Sequence, residues 1–211
     1  MVVSVFLGFF AALALGARLE RPRREPVPVR QIGMDQKAGS SPNVAHADSQ
    51  RQPGGAVYPR GYNFALAANG ATAEGGHGAN LLIDGDDTSY NGGSGFAYSN
   101  WKTTPAQFFT IKLKSPVTLD SIRFLLWDQD DRYYRYTLEI CADEKGEKWM
   151  MAADRSAETD HCKSWQPIQF EPQTVKQIRL TGTFNSSNNE FHVVELQAFY
   201  RPLPLKEILD F

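Results

Sequence analysis

From residue 62 onward the chain alternates apolar and polar positions in short runs separated by Gly, Pro, Asn and Asp. In Tyr136-Thr-Leu138-Glu-Ile140-Cys-Ala142, residues 136, 138, 140 and 142 fall on one face, with Thr137, Glu139 and Cys141 on the other. Gln177-Ile178-Arg179-Leu180 repeats the pattern. Period-two alternation belongs to half-buried antiparallel strand, one face to a core and one to water. The runs predict strands at 108–113, 117–127, 133–142, 148–153, 165–170, 174–183 and 191–200. No stretch after residue 61 sustains a helical period, so the chain reads as an all-β sandwich or jelly roll.

Upstream the alternation disappears. Residues 1–17 form an unbroken run of apolar and small residues. The run is shorter than the roughly 20 residues that span a bilayer. Its length suits the apolar part of a signal peptide, and Ala12-Leu13-Ala14 offers a cleavage pattern. No Lys or Arg precedes it, whereas Arg18, Arg21, Arg23 and Arg24 follow, the order of a reversed signal-anchor. A signal peptide or signal-anchor predicts a secreted or membrane-anchored protein; the alternative is a short buried helix in a cytoplasmic one. Residues 18–60 hold prolines 22, 26, 28, 42, 53 and 59 among sparse apolar residues. They predict a disordered basic linker, because such a segment buries too little surface to offset its ordering entropy. The organisation is therefore a leader or anchor at 1–17, a linker at 18–60, a globular domain at 61–201 and a tail at 202–211.

Composition narrows the function. With 211 residues, 42% hydrophobic and 12% aromatic, the chain is neither wholly disordered, collagen-like nor a polytopic membrane protein. Two cysteines exclude a disulfide scaffold, and with four histidines they leave little for a zinc cluster. The net charge of −2 divides unevenly: residues 18–60 hold 8 basic and 4 acidic groups, leaving 14 basic and 20 acidic groups, or −6, for residues 61–211. A domain at −6 is expected to bind neither nucleic acid nor, tightly, anionic lipid.

The order of the motifs resembles a known family. Asn80-Leu-Leu-Ile-Asp84-Gly85-Asp86, then Phe108-Phe-Thr-Ile-Lys-Leu113, Pro116-Val117 and Ser121-Ile-Arg-Phe-Leu-Leu-Trp127-Asp128 resemble successive elements of F5/8 type C (discoidin) domains. Tyr136-Thr-Leu-Glu-Ile140, Trp149, Gln177-Ile-Arg-Leu-Thr-Gly-Thr183 and Val194-Glu195-Leu196 complete the series. Leu125-Leu126-Trp127-Asp128-Gln-Asp130-Asp131-Arg132, Cys162-Lys163-Ser164-Trp165-Gln166, Gly182-Thr183-Phe-Asn185 and Asn189-Glu-Phe191-His192 are similar to the discoidin domains of one group of BTB/POZ-domain proteins. These 211 residues hold no BTB domain, which argues against an adaptor role in ubiquitin ligation. The resemblance implies a discoidin, galactose-binding-like jelly-roll β-sandwich over residues 62–200. It also implies a non-catalytic binding module that takes carbohydrate or glycoconjugate at loops on one end of the sandwich. A protein–protein interaction module is the alternative, and a carbohydrate-active enzyme the lesser one.

Three places carry candidate chemistry. The acidic turn 84–89 supplies hard oxygens suited to calcium. In galactose-binding-like relatives a structural calcium joins this turn to a Glu of the last strand, which makes Asp84, Asp86, Ser89 and Glu195 candidate ligands for one ion. The alternative is a turn whose side chains bond their own backbone. The second place, residues 127–134, lies between two predicted strands and puts Asp128, Asp130 and Arg132 on a loop. Carboxylates and Arg beside aromatic faces suit sugars, since rings stack on C–H faces and polar groups take hydroxyls. Third, the glycine-rich run 91–95 leads into Phe96 and Tyr98, candidates for a binding rim. His192 completes the candidate ligand-binding set, with a structural histidine as the alternative. No catalytic motif accompanies it. Asn185-Ser186-Ser187 is a glycosylation sequon on a predicted loop.

Overall fold

The computed structural model describes residues 49–52 and 54–200; the expected leader at 1–17, residues 18–48 of the expected linker and the tail at 202–211 lie outside the described residues. Among the described residues there are nine strands. They are β1 (Ser49–Arg51), β2 (Val57–Pro59), β3 (Thr72–Glu74), β4 (Ala97–Asn100), β5 (Phe109–Leu126), β6 (Tyr134–Cys141), β7 (Trp149–Arg155), β8 (Trp165–Asn185) and β9 (Glu190–Phe199). Two single-turn 3-10 helices, Ala67–Asn69 and Ala79–Leu82, join the early strands. No described helix is long and apolar enough to cross a membrane.

β5 and β8 build the sandwich by belonging to both of its layers. The start of β5 pairs with β3 and with the end of β8 (Phe109 opposite Leu180, Lys112 opposite Gln177). Its end pairs with the start of β8 (Leu125 opposite Trp165) and with β9. One layer thus runs β4-β9-β5-β8 and the other β3-β5-β8-β6-β7, antiparallel throughout. The sequence predicted two separate strands in place of each long one. Pro116 and Pro172 suggested breaks, but both lie in the register shifts between Lys112 and Val117 and between Leu119 and Ser121. At a bulge the missing proline N–H removes no ladder bond, so the strand bends and continues.

The alternation of β6 is as read: Tyr134, Tyr136, Leu138 and Ile140 are buried, with half-buried residues between them. Rings from both layers meet inside, Phe124 edge-on to Tyr136 at 4.8 Å and Tyr134 edge-on to Phe191 at 5.7 Å. The layers approach most closely at Gly182 of β8, where a Cβ would collide with the Phe191 side chain of β9. Cys141 faces away from this core yet is buried, its thiol donating to Asp143 Oδ2 at 2.9 Å. Cys141 and Cys162 are unpaired.

The linker reading fails over its last residues. β1 and β2 form a hairpin, and the Gln52 amide clasps the backbone of Thr118 in both directions, accepting from its N–H at 2.6 Å and donating to its carbonyl at 3.0 Å. Gly54 and Gly55 here shape a turn, with Gly55 N–H donating to the Gln52 carbonyl at 3.0 Å and Gln52 N–H to the Ala56 carbonyl at 2.8 Å. The two ends of the domain also meet: Phe64 N–H donates to the Ala198 carbonyl, and Ala198 N–H to Asn63 Oδ1, both at 2.9 Å.

Candidate functional site

The loop between β5 and β6 folds back over the start of β9. Trp127 N–H donates to the His192 carbonyl at 3.3 Å, and β4 lies on the other side of β9 with Tyr98 opposite His192. This brings Phe96, Tyr98, Trp127, Asp130, Arg132 and His192 together from three stretches of chain. The Arg132 guanidinium lies 4.2 Å over the Trp127 ring. Asp130 grips it from the side through Nε to Oδ1 at 2.8 Å and Nη2 to Oδ2 at 2.6 Å. These bonds from Arg132 hold the Asp130 carboxyl down at about 2. Nη1 reaches His192 Nδ1 at 3.1 Å, and His192 Nε2 lies 3.0 Å from Glu190 Oε2.

That chain fixes the histidine tautomer. Arginine only donates, so Nδ1 accepts and the ring proton sits on Nε2, pointing at Glu190. Burial lowers the His192 pKa against the opposing pull of Glu190, which keeps the ring neutral. Both ring nitrogens are committed, so His192 orients Arg132 and has no free lone pair to act as a base. Arg132 commits three of its five N–H donors to Asp130 and His192, and its guanidinium also interacts with the Tyr134 hydroxyl. That hydroxyl is buried; burial raises its pKa, and Arg132 pulls it back through its charge and hydrogen bonding. Phe96 borders the cluster, its ring 4.9 Å from His192 and 6.3 Å from Trp127. Tyr98 stacks on His77 at 4.7 Å and 20°.

Of the sequence-predicted ligand-binding residues, Asp128 alone stays out of the cluster. It accepts from the Gln129 amide at 3.2 Å and hydrogen-bonds Tyr90, whose pKa burial and then Asp128 raise. Trp127, part of the candidate loop but not singled out, belongs to the site, as do Glu190 and His77, which were missed. Glu190 and His192 are two apart on a strand and share a face, a signal present in the sequence. Nothing local marks His77, which reaches Tyr98 by a backbone bridge.

The acidic turn divides in two. The 3-10 turn Ala79–Leu82 drives Leu82 and Ile83 into the core, and Gly85 at φ 88° reverses the chain beneath β9. Asp86 Oδ1 accepts from Thr88 N–H (2.9 Å), Thr88 Oγ1 (2.7 Å) and Ser89 N–H (3.1 Å). Hydrogen bonds from Ser89 and Thr88 hold the Asp86 carboxyl well below the usual carboxylate range. Asp86 and Ser89 are therefore engaged with each other. Glu195 differs. It is fully buried, Oε2 accepts from Gly85 N–H at 3.2 Å, and Oε1 has no partner. Burial pushes its pKa up to about 8, with Asp84 the foremost of the neighbouring charges adding to it. Among the described residues no three His, Cys, Asp or Glu side chains converge as a metal shell, so the four predicted ligands are not brought together. The orphaned buried oxygen of Glu195 beside Asp84 does fit a hard cation.

The sequon is closed. Asn185 is buried, and its Nδ2 donates to Asn188 Oδ1 at 2.8 Å and to the Glu190 carbonyl at 2.6 Å, so the atom that would carry a glycan is inaccessible in the folded domain.

An antiparallel β-sandwich with an aromatic and ionic cluster among its end loops defines a binding module on a rigid scaffold. The chain belongs to the F5/8 type C domain family, whose model matches residues 66–196. It is 37% identical over 119 residues to the BTB/POZ domain-containing protein 9 of Homo sapiens and to that of Drosophila melanogaster, in each case over 56% of this chain. The match takes in 18% and 16% of those proteins, so the chain spans less than a fifth of the curated relatives it matches. Among solved structures it is similar to chitosan-binding module 1 of a Paenibacillus sp. IK-5 chitosanase/glucanase, with TM-score 0.51, 20% identity and coverage of 65% of this chain and 98% of that one. A family 89 glycoside hydrolase of Clostridium perfringens matches at TM-score 0.50 and 20% identity, over 64% of this chain and 15% of that one. At this identity the likeness establishes the fold.

Proposed function

We propose that the domain is a non-catalytic module that binds a glycan or glycoconjugate at the Arg132 cluster. The observation that carries this reading is the Arg132 guanidinium, laid on Trp127 and locked by Asp130 and His192 with donor capacity remaining. An arginine donor held rigid beside the Phe96 ring suits a sugar, whose hydroxyls take its N–H while a C–H face meets the ring. Asp130 cancels most of the arginine charge, which favours a neutral sugar. The full chain is expected to bind immobilised neutral glycans on an array. Arg132→Ala is expected to weaken that binding at least about tenfold, the loss of a charged hydrogen-bond donor. An array without signal, or signal unchanged in both Arg132→Ala and Trp127→Ala, overturns the reading.

A protein-interaction surface has its own support on the outer face of the second layer. Phe108 and Met151 are 41% and 50% exposed there. Between them Arg179 pairs with Glu139 at 2.7 Å and stacks on Trp149 at 4.2 Å. Loss of a protein partner in Met151→Glu, but not in Arg132→Ala, would favour this second reading.

For the acidic turn the proposal is one structural calcium ion, held by Glu195 and Asp84. It would neutralise a carboxylate that the fold buries with one oxygen unpartnered.

A further inference from the structure

A second concave site lies at the N-terminal hairpin, away from the Arg132 cluster. Two adjoining hollows, of about 150 and 250 Å³, share Tyr58, Ser115 and Val117 as a common wall. Together they reach the range of ligand sites, about 300–1,000 Å³. Tyr58 and Tyr62 stand 4.8 Å apart at 45°, and both rings pack on Phe64 at 4.9 Å, which holds them in place. Both are half-buried and line the smaller hollow. The hydroxyls of Tyr58, Tyr62 and Ser115 have no hydrogen-bond partner among the described residues. Lys114 is exposed; its carbon chain lies along Gly70 and its ammonium pairs with no described acid. The lining of both hollows contains no Asp or Glu. In a domain whose sequence carries −6, this is a locally basic groove.

We propose that this groove binds an acidic saccharide, one carrying a carboxylate such as a uronic acid. Each feature has a counterpart in that ligand. The two phenol rings offer faces to the C–H side of a pyranose. Three uncommitted hydroxyls match ring hydroxyls, and the free ammonium of Lys114 takes the carboxylate. A bare anion would use the lysine and leave the rings idle; a neutral sugar would use the rings and leave the ammonium idle. The groove exists because the hairpin is ordered against β5: the Gln52–Thr118 clasp sets one rim and Tyr58 the wall. It shares no residue with the Arg132 cluster, so the two sites succeed or fail independently.

The test is calorimetric titration of the full chain with a uronic-acid oligosaccharide and with a neutral oligosaccharide of equal length. The expected result is binding of the acidic ligand, weakened by salt. Lys114→Gln should weaken it about tenfold, and Arg132→Ala should leave it unchanged. Lys114 is solvent-exposed, so its replacement does not endanger the fold; Tyr58→Leu, checked by circular dichroism, removes the stacking face and should give a comparable loss. The proposal is overturned if the acidic ligand gives no heat or if the neutral one binds equally well. It also falls if Arg132→Ala abolishes binding while Lys114→Gln does not, or if sodium acetate displaces the saccharide at equal concentration.

Discussion

In calcium-free buffer the domain is expected to lose stability as the pH rises from about 5 to about 8, and Glu195→Gln is expected to remove that slope. In the folded protein the Glu195 carboxyl titrates at about 8, raised by burial and by the acids of the 84–87 turn. In the unfolded chain it returns to about 4.3. Between those values the folded state holds a proton that the unfolded state has released, so stability falls as pH rises through the window. The unpartnered Oε1 gives the charged form no compensating bond. The difference is on the order of a few kcal/mol at the upper end. Glutamine keeps the acceptor for Gly85 N–H and cannot ionise. Calcium acts in the opposite direction, because it binds the ionised carboxylate of the folded state. Free calcium at about 100 times its Kd adds about 2.7 kcal/mol, most visibly at the alkaline end. Thermal melts of the parent and of Glu195→Gln at pH 5 and pH 8, each with chelator and with calcium, read both effects. Melts of the parent that superpose at the two pH values in chelator would refute the buried-acid account. Melts unmoved by calcium would refute the ion.

The second large effect is steric. Gly182→Ala is expected to destabilise the domain by about 3 kcal/mol or more, at the upper end of overpacking costs. The new methyl would occupy the space of the Phe191 side chain. Phe191 is fully buried, with Tyr134 and Tyr136 ranged around it, so it has no vacant rotamer to swing into. For a domain of this size the melting temperature should drop by about 10 °C. Phe191→Leu keeps the Cβ and Cγ that the new methyl would strike, so combined with Gly182→Ala it should recover little, and a double-mutant cycle should show no favourable coupling. A melt of Gly182→Ala within about 1 °C of the parent would show that the layers separate more easily than this packing implies.

The fold was legible where period two ran uninterrupted, as in 136–142. It was misread where proline appeared to end a strand, because a sequence does not show which ladder positions a bulge leaves free. Residues 49–60 were hidden for a related reason. Their order comes from the clasp between Gln52 and Thr118, 66 residues away, and not from an apolar pattern of their own. The groove at Tyr58 and Tyr62 was lost with them. Within the site, Asp130 and Arg132 could be paired by proximity in the chain. The bond from Arg132 to His192 spans 60 residues and was beyond reach. Asp86 and Ser89 illustrate the converse: oxygens that look available for a metal in sequence are drawn to the nearest N–H and O–H groups, which local turn geometry supplies first.

The bonds that tie Asn63 and Phe64 to Ala198 bring the chain that leaves the N-terminal hairpin beside the end of the last strand. A module built in that way can be set into a loop of a host protein without forcing the flanking segments apart. By the same geometry, a short linker joining the two ends should permit circular permutation, with new termini opened in the exposed glycine run at Gly92 and Gly93, where an added Cβ would meet nothing within 4 Å.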